Sequence, residues 1–270
     1  MRLARVAAIV LRQYYLVRGS LSRLIPLFVW VAIDVVLWGF ISRYLNGVTA
    51  SGGAARDFVP ALLGAVLLWD FLIRVMQGVT MAFFEDVWSR NFLNIFATPL
   101  RIPEYLGGLV LSSVATSAIG LLVMVLVAGG VFGLSAATYG GLAPAYLGVL
   151  FLFGIALGIV GAAVVLRLGP SAEWFVWPIP ALVSPFAGVF YPVSTLPAWM
   201  QAVSRALPPS YVFEGVRAAA SGHPGSVSGL AIGAALAAGY VLLACWLFAR
   251  VFRHAVRTGL IARYSAESVS

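Results

Sequence analysis

The sequence predicts an all-α polytopic membrane protein of six transmembrane helices. Three observations carry that expectation. The 270 residues are 62% hydrophobic and 10% charged, with a mean hydropathy of +1.01, whereas soluble domains run at about 45–50% apolar and about 25% charged. Six apolar runs are long enough to approach the ~20 residues a bilayer crossing needs. The basic residues, finally, are distributed by topology. All 17 are arginine, no lysine occurs, and the net charge is +8. They flank apolar runs, so a membrane partner accounts for them and nucleic acid does not.

Residues 1–23 come first, with Arg2, Arg5, Arg12, Arg18 and Arg23. Leu3, Val6, Val10, Tyr14 and Val17 recur at steps of three and four, an apolar stripe that Ile9 and Leu16 interrupt on the basic side. This pattern predicts an amphipathic helix in the cytoplasmic interface; the plainer reading is a basic tail that only sets orientation. The apolar run that follows is too long for the h-region of a signal peptide.

The expected spans are 24–45, 58–83, 106–132, 143–168, 174–191 and 228–249, together a transmembrane domain over 24–249, followed by a basic cytoplasmic tail, 250–270. Pro178, Pro180 and Pro185 break the fifth. With the N-terminus inside, twelve arginines fall on inner segments and four on outer ones, and Arg74 lies inside a span. That asymmetry places both termini in the cytoplasm of a cell that carries the protein in its inner (plasma) membrane. Small residues at Gly154-x-x-x-Gly158 and Gly229-x-x-x-Gly233 predict close helix packing. No repeat relates the first three spans to the last three, so the inverted repeat of many secondary transporters is absent.

Three ionisable residues sit within spans: Asp34 in the first, Asp70 and Arg74 in the second. From the inner end they lie about 15, 20 and 14 Å deep at 1.5 Å per residue. A charge there costs about 2.5–3.5 kcal/mol on insertion scales and needs a partner or a wet cavity. Arg74 is expected to be neutralised by Asp34, by Asp70 one turn away, or by both. The group is either a structural ion pair or part of a substrate or proton path.

The longest inner loop, 84–105, predicts a helix over 84–99 against which another protein can push. Trp88, Phe92, Ile95 and Phe96 share a face, Asp86 and Arg90 stand at i, i+4, and Glu85 and Asp86 favour the helix start. Pro99 ends it and Pro103 keeps the re-entry extended. The plainer reading is an interfacial helix on lipid. On the outer side, 192–217 is too polar and proline-rich to span and too apolar for a simple loop. A helix start is expected near Ser194 or Thr195 and Pro197, a stop at Pro208-Pro209, and a second short helix from Ser210 that sets Glu214 and Arg217 three apart. This predicts a re-entrant hairpin, or alternatively a cap on the headgroups.

Within these residues a family pattern stands out. Ser184-Pro185-x-x-Gly188-Val189-Phe190-Tyr191-Pro192-x-x-x-Leu196-Pro197-x-Trp199, then Leu207-Pro208-x-x-Tyr211-x-x-Glu214-x-x-Arg217, resembles the signature of type-2 ATP-binding-cassette (ABC) exporter permeases. With the six spans and the acid-led second loop, the resemblance covers essentially the whole chain. It implies a membrane-spanning subunit that is not itself an enzyme and that moves an amphiphile (lipid, glycan or drug) outward. It also implies an ABC ATPase subunit as a separate partner, which binds ATP and Mg, and a second permease half, identical or different. The 84–99 segment would be the coupling helix, with Glu85, Asp86, Trp88, Arg90, Asn91 and Asn94 meeting the ATPase. Tyr191, Pro192, Trp199, Glu214 and Arg217 would form an outer gate. The run Glu85-Asp86-Val87-Trp88-Ser89-Arg90-Asn91 departs from the acidic-basic pair and Gly-Thr of many relatives. Independently, the chain has no lysine for a phosphate-binding loop, so an ATP engine has to lie elsewhere. The alternatives are a proton-coupled secondary transporter using Asp34 and Asp70, and an intramembrane enzyme. The second fails on chemistry, because neither His223 nor His254 lies within a span to pair with a nucleophile or metal.

Overall fold

The computed structural model describes residues 3–18, 21–51, 59–89, 94–95 and 98–260, and among these it is helical with no strand. The main helices are α1 (Leu3–Arg18), α2 (Leu21–Ser51), α3 (Gly64–Trp88), α4 (Ile102–Phe132), α5 (Ala143–Leu168), α6 (Ile179–Ala187), α7 (Ala198–Arg205), α8 (Pro208–Ala220) and α9 (Val227–Arg257). Four stretches are long and apolar enough to cross a membrane: Val59–Trp88, Ile102–Phe132, Ala137–Leu168 and Val227–Arg257. α2 matches them in length, at 31 residues, and contains the expected first span.

The fifth expected span, 174–191, is not one helix. A 3-10 turn, Pro170–Phe175, and the nine residues of α6 occupy it. At 1.5 Å per residue α6 covers about 14 Å, well short of a hydrocarbon core of about 30 Å. Pro178 stands at its N-cap and Pro180 in its first turn, where a missing N–H costs nothing. Gly188, at φ +69°, ends it in the left-handed region that glycine enters freely. The sixth span, by contrast, runs past its expected end: α9 stays helical to Arg257, so the start of the basic tail is helix.

The core is built on α3. Gly154 and Gly158 of α5 lie against it so closely that a methyl at Gly158 would stand 2.7 Å from Val79 Cβ and 2.8 Å from the Met76 carbonyl oxygen. The Thr80 hydroxyl crosses the same seam to the Gly158 carbonyl at 3.3 Å. On another side Ser113 of α4 donates to the Val75 carbonyl at 2.9 Å, seated where Gly78 leaves room. Phe83 meets Phe248 of α9 edge to face. Gly229 and Gly233, the other small-residue pair, bring α9 against Tyr211 and Pro208 of α8.

These contacts fix direction. Contacts at successive positions advance together along α3 and α5, so the two run parallel, and α9 runs with them. α4 opposes them: its start lies by α1, through Glu104 and Arg5, and its end by α2, through Val131 and Arg43. The C-terminal ends of α3, α5 and α9 and the start of α4 therefore share one end of the bundle with α1. α8 sits at the opposite end, where Tyr146 near the start of α5 abuts Gly215 and Gly225, whereas Pro180 in the first turn of α6 lies by Met76 and Phe84 on the C-terminal half of α3.

This packing makes a discriminating prediction. Gly158→Ala should lower the thermal unfolding temperature in detergent, with an overpacking cost of about 1–3 kcal/mol, whereas Gly148→Ala, with open space at its Cβ, should leave it unchanged. Equal behaviour of the two variants would refute the seam.

Candidate functional site

At the α1 end, three helices meet on one carboxylate. Asp86, on the last full turn of α3, is fully buried. The phenol of Tyr105, in the first turns of α4, donates to it at 2.7 Å, and the Arg12 guanidinium of α1 lies against its other oxygen. Two turns before Arg12, α1 is tied a second time: Arg5 meets Glu104 at 3.1 Å. Glu104 is itself buried and accepts the backbone N–H of Arg101 at 3.1 Å, which caps α4. Between the two ion pairs Ile9 sits on Gly108, where a methyl would come within 2.5 Å of it.

Local sequence explains how α1 can face both ways. Val6, Ile9 and Gln13 turn inward with Arg5 and Arg12 beside them, while Leu3 and Tyr14 of the apolar stripe are exposed. In lipid, an outward apolar face and an inward charged one is the stable arrangement, since buried acids hold the cations. Ile9, an interruption in the sequence pattern, is thus a packing residue.

The expected 84–99 helix falls partly outside the described residues, and its two described stretches are 84–89 and 94–95 with 98–99 beyond them. Phe84 to Trp88 belong to α3, which ends at Ser89. Asp86 is engaged by Arg12 and Tyr105 and is closed to any docking partner. Glu85 is half-buried, Trp88 is exposed on the last turn, and Asn94 is exposed in a helical pair with buried Ile95. Arg90, Asn91, Phe92 and Phe96 lie outside the described residues. Sequence reasoning missed Arg5, Arg12, Glu104 and Tyr105. The available signal was Glu104 after Pro103, an acid in a helix first turn facing an arginine-rich amphipathic segment.

Within the bundle, Arg74 pairs with Asp70 one turn earlier at 2.7 Å. Its stem lies over Gly120 of α4, whose Cβ would stand 3.2 Å from Arg74 Cδ. Asp34, on α2, is half-buried. Of the two partners expected for Arg74, the direct one is Asp70.

At the opposite end, the proline-rich segment is tied by two side chains of α8. Arg217 donates to the Gly188 carbonyl at 2.7 Å, satisfying the end of α6. Glu214 accepts the Val193 N–H at 2.8 Å and meets Arg217 at 3.3 Å. Burial pulls the Arg217 pKa below its ordinary value, and neighbouring Glu214 opposes the shift. Tyr191 donates to the Pro185 carbonyl at 2.8 Å, Pro192 precedes a single 3-10 turn, and exposed Trp199 packs edge to face on Phe186. Pro208-Pro209, expected as a stop, follow the end of α7 at Arg205 and also begin α8, where proline fits the first turn. The spacing of Gly188, Glu214 and Arg217 is therefore a capping arrangement: one helix supplies the groups that a broken backbone lacks.

With that arrangement in place, comparison with known families is decisive. The profile of the ABC-2 type transporter family matches residues 14–220, from α1 through the whole α6–α8 segment. The chain belongs to that family. No curated protein matches it. It is accordingly a multi-pass membrane protein and a permease component of an ABC transporter rather than a catalytic enzyme. The match takes in Asp86 and Glu104 together with the Asp70–Arg74 and Glu214–Arg217 pairs.

The capping role of Arg217 is testable. Arg217→Met strands the Gly188 carbonyl and Glu214 and should cost about 1–3 kcal/mol, read as a lower denaturant midpoint by pulse proteolysis. Arg205→Met, at an exposed position, should stay within about 0.5 kcal/mol; a loss as large there would remove the assignment.

Proposed function

We propose that this permease is the membrane-spanning half of an ATP-driven exporter, moving an amphiphilic substrate (a lipid, glycan or drug) outward. ATP and Mg bind to a separate ABC ATPase subunit, and two permease halves pair across the membrane. α2 and the proline-broken 174–191 stretch join the four apolar stretches to complete six crossings, with the 192–217 hairpin on the outer side and both chain ends in the cytoplasm of the inner membrane. The observation that carries this reading is the inner end of α3. An exposed Trp88 terminates the helix that packs on both α5 and α4, two residues beyond a fully buried Asp86.

A partner seated on Glu85, Trp88, Asn94 and the intervening Arg90 and Asn91 would push on a rod. α3 cannot slide past α5 without lifting Gly158 off Met76 and Val79, nor past α4 without breaking the Ser113 bond. Displacement of α3 therefore moves neighbouring helices as well. Asp86 positions this end through Arg12 and carries the motion to α1. Asp70 and Arg74 neutralise each other inside the bundle and act as a structural pair. At the far end α6–α8 supplies short helices and capped turns that can part as a gate.

The experiment is co-purification with the ATPase encoded or expressed alongside, followed by transport in vesicles. Trp88→Ala and Arg90→Glu should each reduce the recovered ATPase at least several-fold while membrane insertion is normal. Transport should stop without ATP and persist when the proton gradient is collapsed. Full ATPase recovery with both variants, or transport driven by the gradient alone, would overturn the proposal.

A further inference from the structure

Beside the α1 end, but away from the Asp86 cluster, the C-terminal turns of α5 and α9 enclose a cleft of about 380 Å³. Its lining is Arg167, Trp246, Leu247, Arg250, Val251 and His254. The volume falls in the range of small-molecule sites, about 300–1,000 Å³. Among the described residues neither Arg167 nor Arg250 is paired with a carboxylate. That contrasts with Arg5, Arg12, Arg74 and Arg217, each of which has its own acid. The Arg250 guanidinium is instead stacked on the Trp246 ring at 5.4 Å, which holds a cation in place without neutralising it.

The cleft also has an apolar approach. Leu243, the adjacent Trp246 and Leu247, Arg250 and His254 recur at three- and four-residue steps, so they form one stripe along α9. Leu243 and Trp246 are 56% and 53% exposed, and the stripe passes from apolar to basic at Trp246. Aromatic rings of this kind concentrate at the level of lipid headgroups. An apolar strip that ends in two unpaired guanidiniums and an imidazole matches a molecule with an acyl chain and an anionic head.

We propose that this cleft binds an anionic glycerophospholipid, its phosphate held between Arg167 and Arg250 with His254 as a further donor and an acyl chain along Leu243 and Trp246. The site bridges α5 and α9, two helices that pack on α3. A bound lipid fastens their ends together on the side of the bundle where α3 terminates. Arginine suits the role because its planar fork can give a phosphate two parallel hydrogen bonds. The inference needs only that the chain is embedded in a bilayer, and it stands whether or not the permease exports anything.

The test is native mass spectrometry of the full-length permease in detergent, titrated with phosphatidylglycerol. The unaltered protein should retain one phosphatidylglycerol preferentially over phosphatidylcholine. Arg167→Gln with Arg250→Gln should weaken retention at least tenfold, while Arg253→Gln, which removes the same charge from the same helix outside the cleft, should leave it unchanged. Trp246→Ala should weaken it several-fold, giving a readout that keeps both guanidiniums. Millimolar glycerol phosphate should fail to displace the lipid. Unchanged retention in the double variant, an equal loss with Arg253→Gln, equal binding of phosphatidylcholine, or displacement by glycerol phosphate would each overturn the proposal. Unchanged retention in Trp246→Ala would overturn it as well.

Discussion

A buried carboxylate is the constraint around which one end of this protein is arranged. Asp86 is fully enclosed by protein, and an ionised carboxyl taken out of water is costly unless charge and hydrogen bonds replace the solvent. Here the replacements come from two other helices: Arg12 from α1 and Tyr105 from α4. Three segments distant in sequence must therefore be in place together for any one of them to be satisfied. The second tie, Arg5 to Glu104, fixes the rotation of α1 about its axis, because residues 5 and 12 are two turns apart on one face.

The same logic recurs at the opposite end with neutral acceptors. The α6–α8 segment breaks its backbone at prolines and at Gly188, which frees carbonyl and amide groups that lipid cannot satisfy. Arg217 and Glu214 supply the missing partners, one to each side of the break. Between the ends, contacts are tight and mostly apolar, and glycines at the α3–α5 seam leave little room for relative sliding. A bundle with specific polar ties at both ends and a close-packed middle transmits displacement well. That is the physical basis of the proposed energy input at the α3 terminus.

Much of the fold was legible in the sequence because hydropathy over long runs is a strong signal. The 143–168 span agrees with α5 residue for residue, and the packing role of Gly154 and Gly158 followed from their spacing. The fifth span was less legible, since three prolines weakened it without saying where helix would resume. Pro208 illustrates the ambiguity: a proline stops a preceding helix and starts a following one equally well, and α8 shows the second use. The Asp86 cluster was hidden for a different reason. Helical spacing relates Asp86 only to near neighbours and carries no information about Arg12, 74 residues away in sequence, which meets the carboxylate. Periodicity put Ile9 on the basic side of α1, where it lies, but did not show that this side is the buried one, because a helix between lipid and protein has two sides to cover.

The central claim is that Arg12 and Asp86 are energetically one unit. A double-mutant cycle of Arg12→Met with Asp86→Asn, followed by chemical unfolding in detergent, measures that directly. The account predicts a coupling of at least about 1.5 kcal/mol, within the range found for residues in contact, and a coupling near zero for Arg18→Met with Asp86→Asn. Coupling for Arg12 no larger than for Arg18 would contradict it.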